Sequence, residues 1–151
     1  PNSDSKVIGF DFFETNRSIN FKFQKDKKNF DAHKDNFISQ QELKNTCLNW
    51  GFKNISLHAG NIAETSKAYV SQNIGRRISL LYLDVDNYEG TMATLKNLYP
   101  IVTKGGVVAF DDYHNHNHGE HMAVDEFFRD KKVNIKFFAW DNSSTAYFIK
   151  K

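Results

Sequence analysis

The chain has 151 residues, enough for one domain with a real core and too few for two ordinary ones, so a single domain over 1–151 is expected. Apolar residues make up 40%, and fourteen phenylalanines stand against two prolines, which excludes disorder as the dominant state. A formal net charge of +2 from evenly mixed signs argues for neither a nucleic acid nor a membrane partner, and no apolar stretch reaches the length of a membrane span.

In chain order, Lys6 to Phe10 reads as a short strand ending at Asp11. Residues 15–38 carry aromatics at intervals but no apolar period, which predicts a long irregular loop with Lys25-Asp26-Lys27-Lys28 as a solvated charge run. Asp31 to Glu42 falls into the twelve-residue calcium-loop spacing. His33 at the third ligand position and Asn36 at the turn glycine spoil that match, and Ser39-Gln40-Gln41-Glu42 is better read as a capping box. A helix is expected over 39–50, with Leu43, Cys47 and Leu48 at helical spacing before Gly51. Cys47, the lone cysteine, reads as a buried structural thiol; its solitude excludes an internal disulfide and a cysteine zinc site and fits a reducing, cytoplasmic compartment.

A strand over 54–60, a helix over 63–73, a strand over 79–86 and a helix over 88–98 follow. Gly105-Gly106 reads as a turn into a strand over 107–111, and 120–130 as a helix with Met122, Val124, Phe127 and Phe128 apolar. Strands over 134–140 and 145–149 close the chain, joined by a hairpin turn at 141–144. Strand and helix alternate until that antiparallel finish, which is the pattern of an α/β domain with a mainly parallel sheet.

Two acidic pairs, Asp84-Val85-Asp86 and Asp111-Asp112, stand where apolar runs stop. Open parallel sheets bind ligands at the C-terminal edge of their strands. If those two strands are neighbours, about 4.8 Å apart, four carboxylates converge on one small patch and repel each other unless a cation sits among them; hard oxygen donors favour Mg²⁺, with Mn²⁺ or Ca²⁺ as alternatives. One aspartate alone would be a solvated turn or a helix cap, and Asp86 or Asn87 suits the helix that follows. His114, His116, His118 and His121 invite a zinc hypothesis, but a loop facing the substrate beside the carboxylates is the preferred reading. There is no Gly-x-Ser-x-Gly elbow, phosphate loop, His-Glu-x-x-His or Gly-x-Gly-x-x-Gly.

Leu83-Asp-Val-Asp-Asn-Tyr-Glu-Gly90, Lys104-Gly-Gly-Val-Val-Ala-Phe-Asp-Asp-Tyr113 and Ala123-Val-Asp-Glu-Phe-Phe128 resemble the macrocin O-methyltransferase family over roughly residues 6–130. The resemblance implies a Rossmann-like, class I methyltransferase sheet, mainly parallel with a C-terminal antiparallel hairpin, and an S-adenosylmethionine- and metal-dependent enzyme that methylates a hydroxyl of a sugar or other natural product. It further implies Asp84, Asp111 and Asp112 as ligands of Mg²⁺ or Mn²⁺ and Asp86 as the general base. Asp11 would bind the cofactor ribose, and Asn61 and Ile62 would contact adenine. The implied partner is a small-molecule acceptor, with a homo-oligomer left open. Only five residues precede the match to the family's second strand, so the first strand and its glycine-rich turn are expected to be missing by N-terminal truncation, leaving a hole in the sheet beside the strand at 79–84. A metal-dependent hydrolase and a non-catalytic divalent-ion-binding domain are the alternatives that the carboxylates alone allow.

Overall fold

The computed structural model describes residues 5–138 and 145–151. Its strands form two sheets. β1 (Val7–Asp11) and β2 (Ile55–Ala59) pair in parallel, with Asp11 opposite Ala59 at their C-terminal ends. β3 (Ile78–Leu83), β4 (Val102–Phe110), β5 (Lys136–Phe137) and β6 (Ala146–Ile149) form the second sheet in the order β3-β4-β6-β5, with β3 and β4 parallel and β6 antiparallel to both its neighbours. The alternating pattern thus gives the expected architecture, and no ladder joins β1 to β3 among the described residues. The sheet is interrupted where a hole was anticipated. The hairpin turn expected at 141–144 lies outside the described residues.

Burial follows the apolar periodicity. Leu81, Leu83, Val108, Phe110 and Phe148 from the strands meet Leu95 and Leu98 of α4 (Tyr88–Leu98) and Val124 and Phe128 of α5 (Glu120–Phe128) in one core. On the other face of β3, Leu80 and Tyr82 are more than half exposed. α3 (Ile62–Gln72) packs on α4, and each helix starts from an asparagine cap: Asn61 Oδ1 accepts from Ala63 N at 3.0 Å, and Asn87 Oδ1 from Gly90 N at 2.8 Å. α2 (Gln40–Asn49) starts at Ser39, whose Oγ accepts from Glu42 N as the capping box requires, but it buries no residue fully; Cys47 is half-buried and Leu48 exposed. Gly105-Gly106 does not begin a strand. β4 runs through it from Val102, and the pair forms a bulge in which Ile78 faces Val102 while Leu80 faces Val107, with Gly105 at φ +78°.

The largest departure is in 15–38. Gln24–His33 is a helix, α1, where a loop was expected. Asp26, read as solvated, is 1% exposed: Oδ2 accepts from Tyr88 N at 2.9 Å and Oδ1 from Gly119 N at 2.7 Å. One carboxylate therefore satisfies the first turns of both α4 and α5, where helix dipoles favour negative charge. Gly119 must be glycine for the same reason, since a Cβ there would stand 2.3 Å from Asp26 Oδ2 and 3.0 Å from Tyr88 N. With Asp31 inside α1, the calcium-loop spacing has no structural counterpart. Apolar periodicity could not reveal α1, because it is held by this polar clamp and by aromatic contacts of Phe30 with Phe12 and Phe21.

Replacing Asp26 by alanine strands two buried N–H groups and is expected to cost about 3 kcal/mol of unfolding free energy in urea titrations. Lys27→Ala, on the exposed side of the same helix, should change it by less than about 0.5 kcal/mol.

Candidate functional site

The register Leu83↔Phe110 carries Asp84 and Asp111 out of the sheet side by side, and Asp111 N donates to Leu83 O at 2.9 Å. The four carboxylates therefore share one edge, as the sequence suggested. Asp86 sits at φ +58°, in the left-handed region that aspartate tolerates better than most residues but still at a cost. That conformation turns the chain back from β3 into the Asn87 cap of α4. Such strain persists where the surroundings fix it, and here Asn87 Nδ2 bonds Val85 O at 2.6 Å.

The electrostatics are those of crowded acids. Burial and then the charges of Asp111, Asp112 and Asp11 hold Asp84 above the ordinary carboxylate range. Asp86 is pushed up to about 6, first by burial and then by a hydrogen bond with Asp112, while His118 pulls the other way. Tyr82 hydroxyl donates to Asp111 Oδ1, which together with burial raises the phenol. Among the described residues no lysine or arginine pairs with any of the four.

A cleft of about 230 Å³ opens between the C-terminal ends of β1 and β3, across the break between the two sheets. Asp11 and Ile62 line it together with Asp84 and Asp86, so these four expected site residues meet in one place. Asn61 does not line it; its side chain is spent on capping α3. α1 forms a wall through Asp26, Asn29 and His33. A second cleft, lined by Tyr99 and lysines near the C-terminus, has no acid–base pair, and Lys150 Nζ there already donates to the Tyr99 and Val102 carbonyls.

The sequence does not mark Glu120, and it names His118 only as one of four histidines in a loop beside the carboxylates. Glu120 is fully buried beneath the acidic pairs; Oε2 accepts from Val85 N at 3.4 Å and Oε1 has no partner. Burial, with Asp86 and Asp112 adding to it, pushes its carboxyl up to about 8. A glutamate in a helix's first turn ordinarily reads as an exposed dipole partner, so no local signal marks it. His118 is the buried member of the histidine loop, and its ring nitrogens lie 4.0 Å from Asp86 Oδ1 and 3.7 Å from Asp112 Oδ2. Asp86, Asp112 and His118 bring ligand atoms within 4.8 Å of one another; Asp84 and Asp111 are not in that set, nor are His114, His116 and His121.

Glu120 predicts a pH dependence. Its folded-state value of about 8 lies above the ordinary 4.5, so the fold binds its proton more tightly than the unfolded chain and loses stability as pH rises between those values. In EDTA, Glu120→Gln should melt roughly 5 °C or more above the parent at pH 8.5 and close to it at pH 4.5. Parallel melting curves across that range would show that Glu120 does not carry the effect.

The sequence model of the macrocin-O-methyltransferase (TylF) family matches residues 2–150. No curated protein matches the chain. Among solved structures, the O-methyltransferase NovP superposes with a TM-score of 0.81 at 24% identity over 99% of this chain and 61% of its own. CalS11, described as a TDP-rhamnose 3′-O-methyltransferase in calicheamicin biosynthesis, gives 0.69 at 25% identity over 95% and 58%. An O-methyltransferase from Bacillus cereus in complex with SAH gives 0.56 at 12% over 96% and 63%. The chain thus spans about three fifths of the length of these proteins. With the matched family covering nearly every residue and the fold agreeing, this chain belongs to the macrocin O-methyltransferase family.

Proposed function

We propose that this domain serves an S-adenosylmethionine-dependent O-methyltransferase that uses a Mg²⁺-type ion and acts on a hydroxyl of a sugar or related natural product. The observation that supports it most is the cleft itself, which joins an acid at the end of β1 to the acidic pair at the end of β3. That is the edge at which open α/β sheets take their ligands. NovP and CalS11 are O-methyltransferases, CalS11 of a nucleotide sugar, and the Bacillus cereus relative holds SAH.

The residues fit a cation. Four carboxylates share this edge, two of them held above the ordinary range, and among the described residues no lysine or arginine pairs with any of them, His118 beside Asp86 and Asp112 being the cationic side chain nearby. Asp84, Asp111 and Asp112 would hold the ion, Asp86 would receive the proton of the acceptor hydroxyl, and Asp11 would accept hydrogen bonds from the cofactor ribose. Ile62 would lie against adenine. When bound, the sulfonium cofactor supplies the methyl group and the ion acidifies and orients the hydroxyl. A free carboxylate is far too weak a base for an alcohol, so Asp86 can act only on a hydroxyl already acidified. Its raised carboxyl, held up by burial and by Asp112, supports the reading of Asp86 as the group that receives that proton.

Among the described residues nothing pairs with the outer edges of β1 and β3, which one further parallel strand between them would satisfy, and the turn after it would complete the cofactor pocket. Titration calorimetry of S-adenosylhomocysteine, with and without Mg²⁺, into this chain and into the longest natural form of the protein tests both points. Tight binding only to the longer form is expected; binding to neither would end the methyltransferase reading. In the form that binds, Asp86→Asn should lower kcat by about 10²- to 10⁴-fold while ion binding persists.

A further inference from the structure

Arg17 lines the cleft together with Asp11, Asp84 and Asp86, yet among the described residues no carboxylate pairs with it. Its guanidinium is directed at backbone instead. Nη1 donates to Lys34 O at 2.7 Å and Nη2 to Phe13 O at 3.1 Å, while the central carbon lies 5.0 Å from the centre of the Phe37 ring. The two carbonyls belong to different parts of the fold. Lys34 is the C-cap of α1, where the last carbonyls lack helical partners and the dipole favours a cation. Phe13 lies in the turn that follows β1, two residues beyond Asp11.

α1 is therefore held at both ends. Asp26 ties its first turn to the starts of α4 and α5, on the side of β3 and β4, and Arg17 ties its C-cap to the β1 turn, with Phe30 packed on Phe12 between them. Asp26 and Lys34 are eight residues apart, which makes the strut about 12 Å long. It spans the break between the two sheets and walls the cleft that opens there. The β1 turn adds an independent observation. Phe13 is buried at φ +49°, a conformation that a bulky residue keeps only where its surroundings fix it. Arg17 grips its carbonyl, and the neighbouring Glu14 Oε2 accepts from Gln40 N at 2.8 Å at the start of α2. Each charge thus sits at the helix end whose dipole suits it, and the turn carrying Asp11 is fastened between the two helices.

We propose that Arg17 is a positioning residue for the cofactor: by bridging α1 to the β1 turn it sets the separation between Asp11 and the acidic edge, and so where a bound cofactor stands relative to the hydroxyl it methylates. This rests on the methyltransferase reading above and adds the residue that aligns its two halves. Alignment matters because transfer between two bound groups slows by about 10²-fold for a misplacement of about 1 Å. The role needs a fork. A guanidinium reaches two carbonyls at once, whereas an ammonium at the same place keeps the charge at the helix end without the bridge.

Two measurements on the longest natural form of the protein, its Arg17→Met variant and its Arg17→Lys variant decide the matter: amide hydrogen exchange without ligand, and calorimetric titration of S-adenosylhomocysteine and of Mg²⁺. In Arg17→Met the amides at the C-terminal end of α1 and in the β1 turn should exchange about 10-fold faster, with those of α4 unchanged. Its affinity for S-adenosylhomocysteine should fall about 10-fold while Mg²⁺ affinity stays as in the parent. Arg17→Lys should recover the protection of α1 but not the affinity, which separates a bridge from a helix cap; if Arg17→Met does not fold, this variant carries the test alone. Unchanged exchange in α1 overturns the bridge. Faster exchange with unchanged S-adenosylhomocysteine affinity, an equal loss of Mg²⁺ affinity, or recovery of both properties in Arg17→Lys overturns the positioning role. A parent that binds no S-adenosylhomocysteine ends the methyltransferase reading and the cofactor role with it, and exchange, read without ligand, still decides the bridge.

Discussion

The Asp26 carboxylate is the contact on which the rest of the site depends. It takes one N–H from the start of α4 and one from the start of α5, and these helices begin just after the two acidic segments. Hydrogen bonds to a buried charge are worth more than neutral ones, about 1.5–3 kcal/mol each. The clamp therefore fixes the spacing of the helix starts, and with it the distance between Asp86 and Asp112. It also docks α1 over the cleft, which is how Asn29 comes to stand beside His118. A helix with a polar sequence is thus held by two bonds at one end and a few rings along its side.

The same architecture explains why the acids tolerate one another. β3 and β4 are in register and parallel, so Asp84 and Asp111 must emerge together from a core that permits no shift; Leu83 and Phe110 before them are buried to within 1%. A one-residue slip would expose both. Repulsion is then absorbed locally: Asp86 and Asp112 share a hydrogen bond, Tyr82 donates to Asp111, and Glu120 resists ionisation up to about pH 8. Each of these is a compromise an apolar edge would avoid. Natural folds carry such local costs at sites that bind or react.

How much of this the sequence disclosed follows from what kind of force holds each part. The strand ends bearing Asp84 and Asp111, and helices α3, α4 and α5, were legible because burial imposes a period on apolar residues. α1 was not, because Asp26 acts through partners 62 and 93 residues away and leaves no local pattern. The Gly105-Gly106 pair signals a backbone irregularity but not whether it is a turn or a bulge; the long β4 and its pairing with β6 decide that. Of four histidines in one loop, only topology selects His118. Asn61, expected at the cofactor, also serves as the cap of α3.

The site is divided between two sheets, and this division sets what each half can do. The carboxylate half stands on β3 and β4, over the main core, and is braced by α4, α5 and the Asp26 clamp. The half that would meet a cofactor stands on β1 and β2, where every residue of β2 is only half-buried and Val7 is more than half exposed. Its ties to the larger body run through α3, which follows β2 and packs on α4, with Asn97 Nδ2 bonding Ser66 Oγ at 2.9 Å, and through α1. Local openings are cheapest where buried apolar contacts are fewest. The acidic edge is therefore preorganised by the fold, whereas the β1–β2 edge has its position set by two helices and gains most from whatever bridges the break between the sheets.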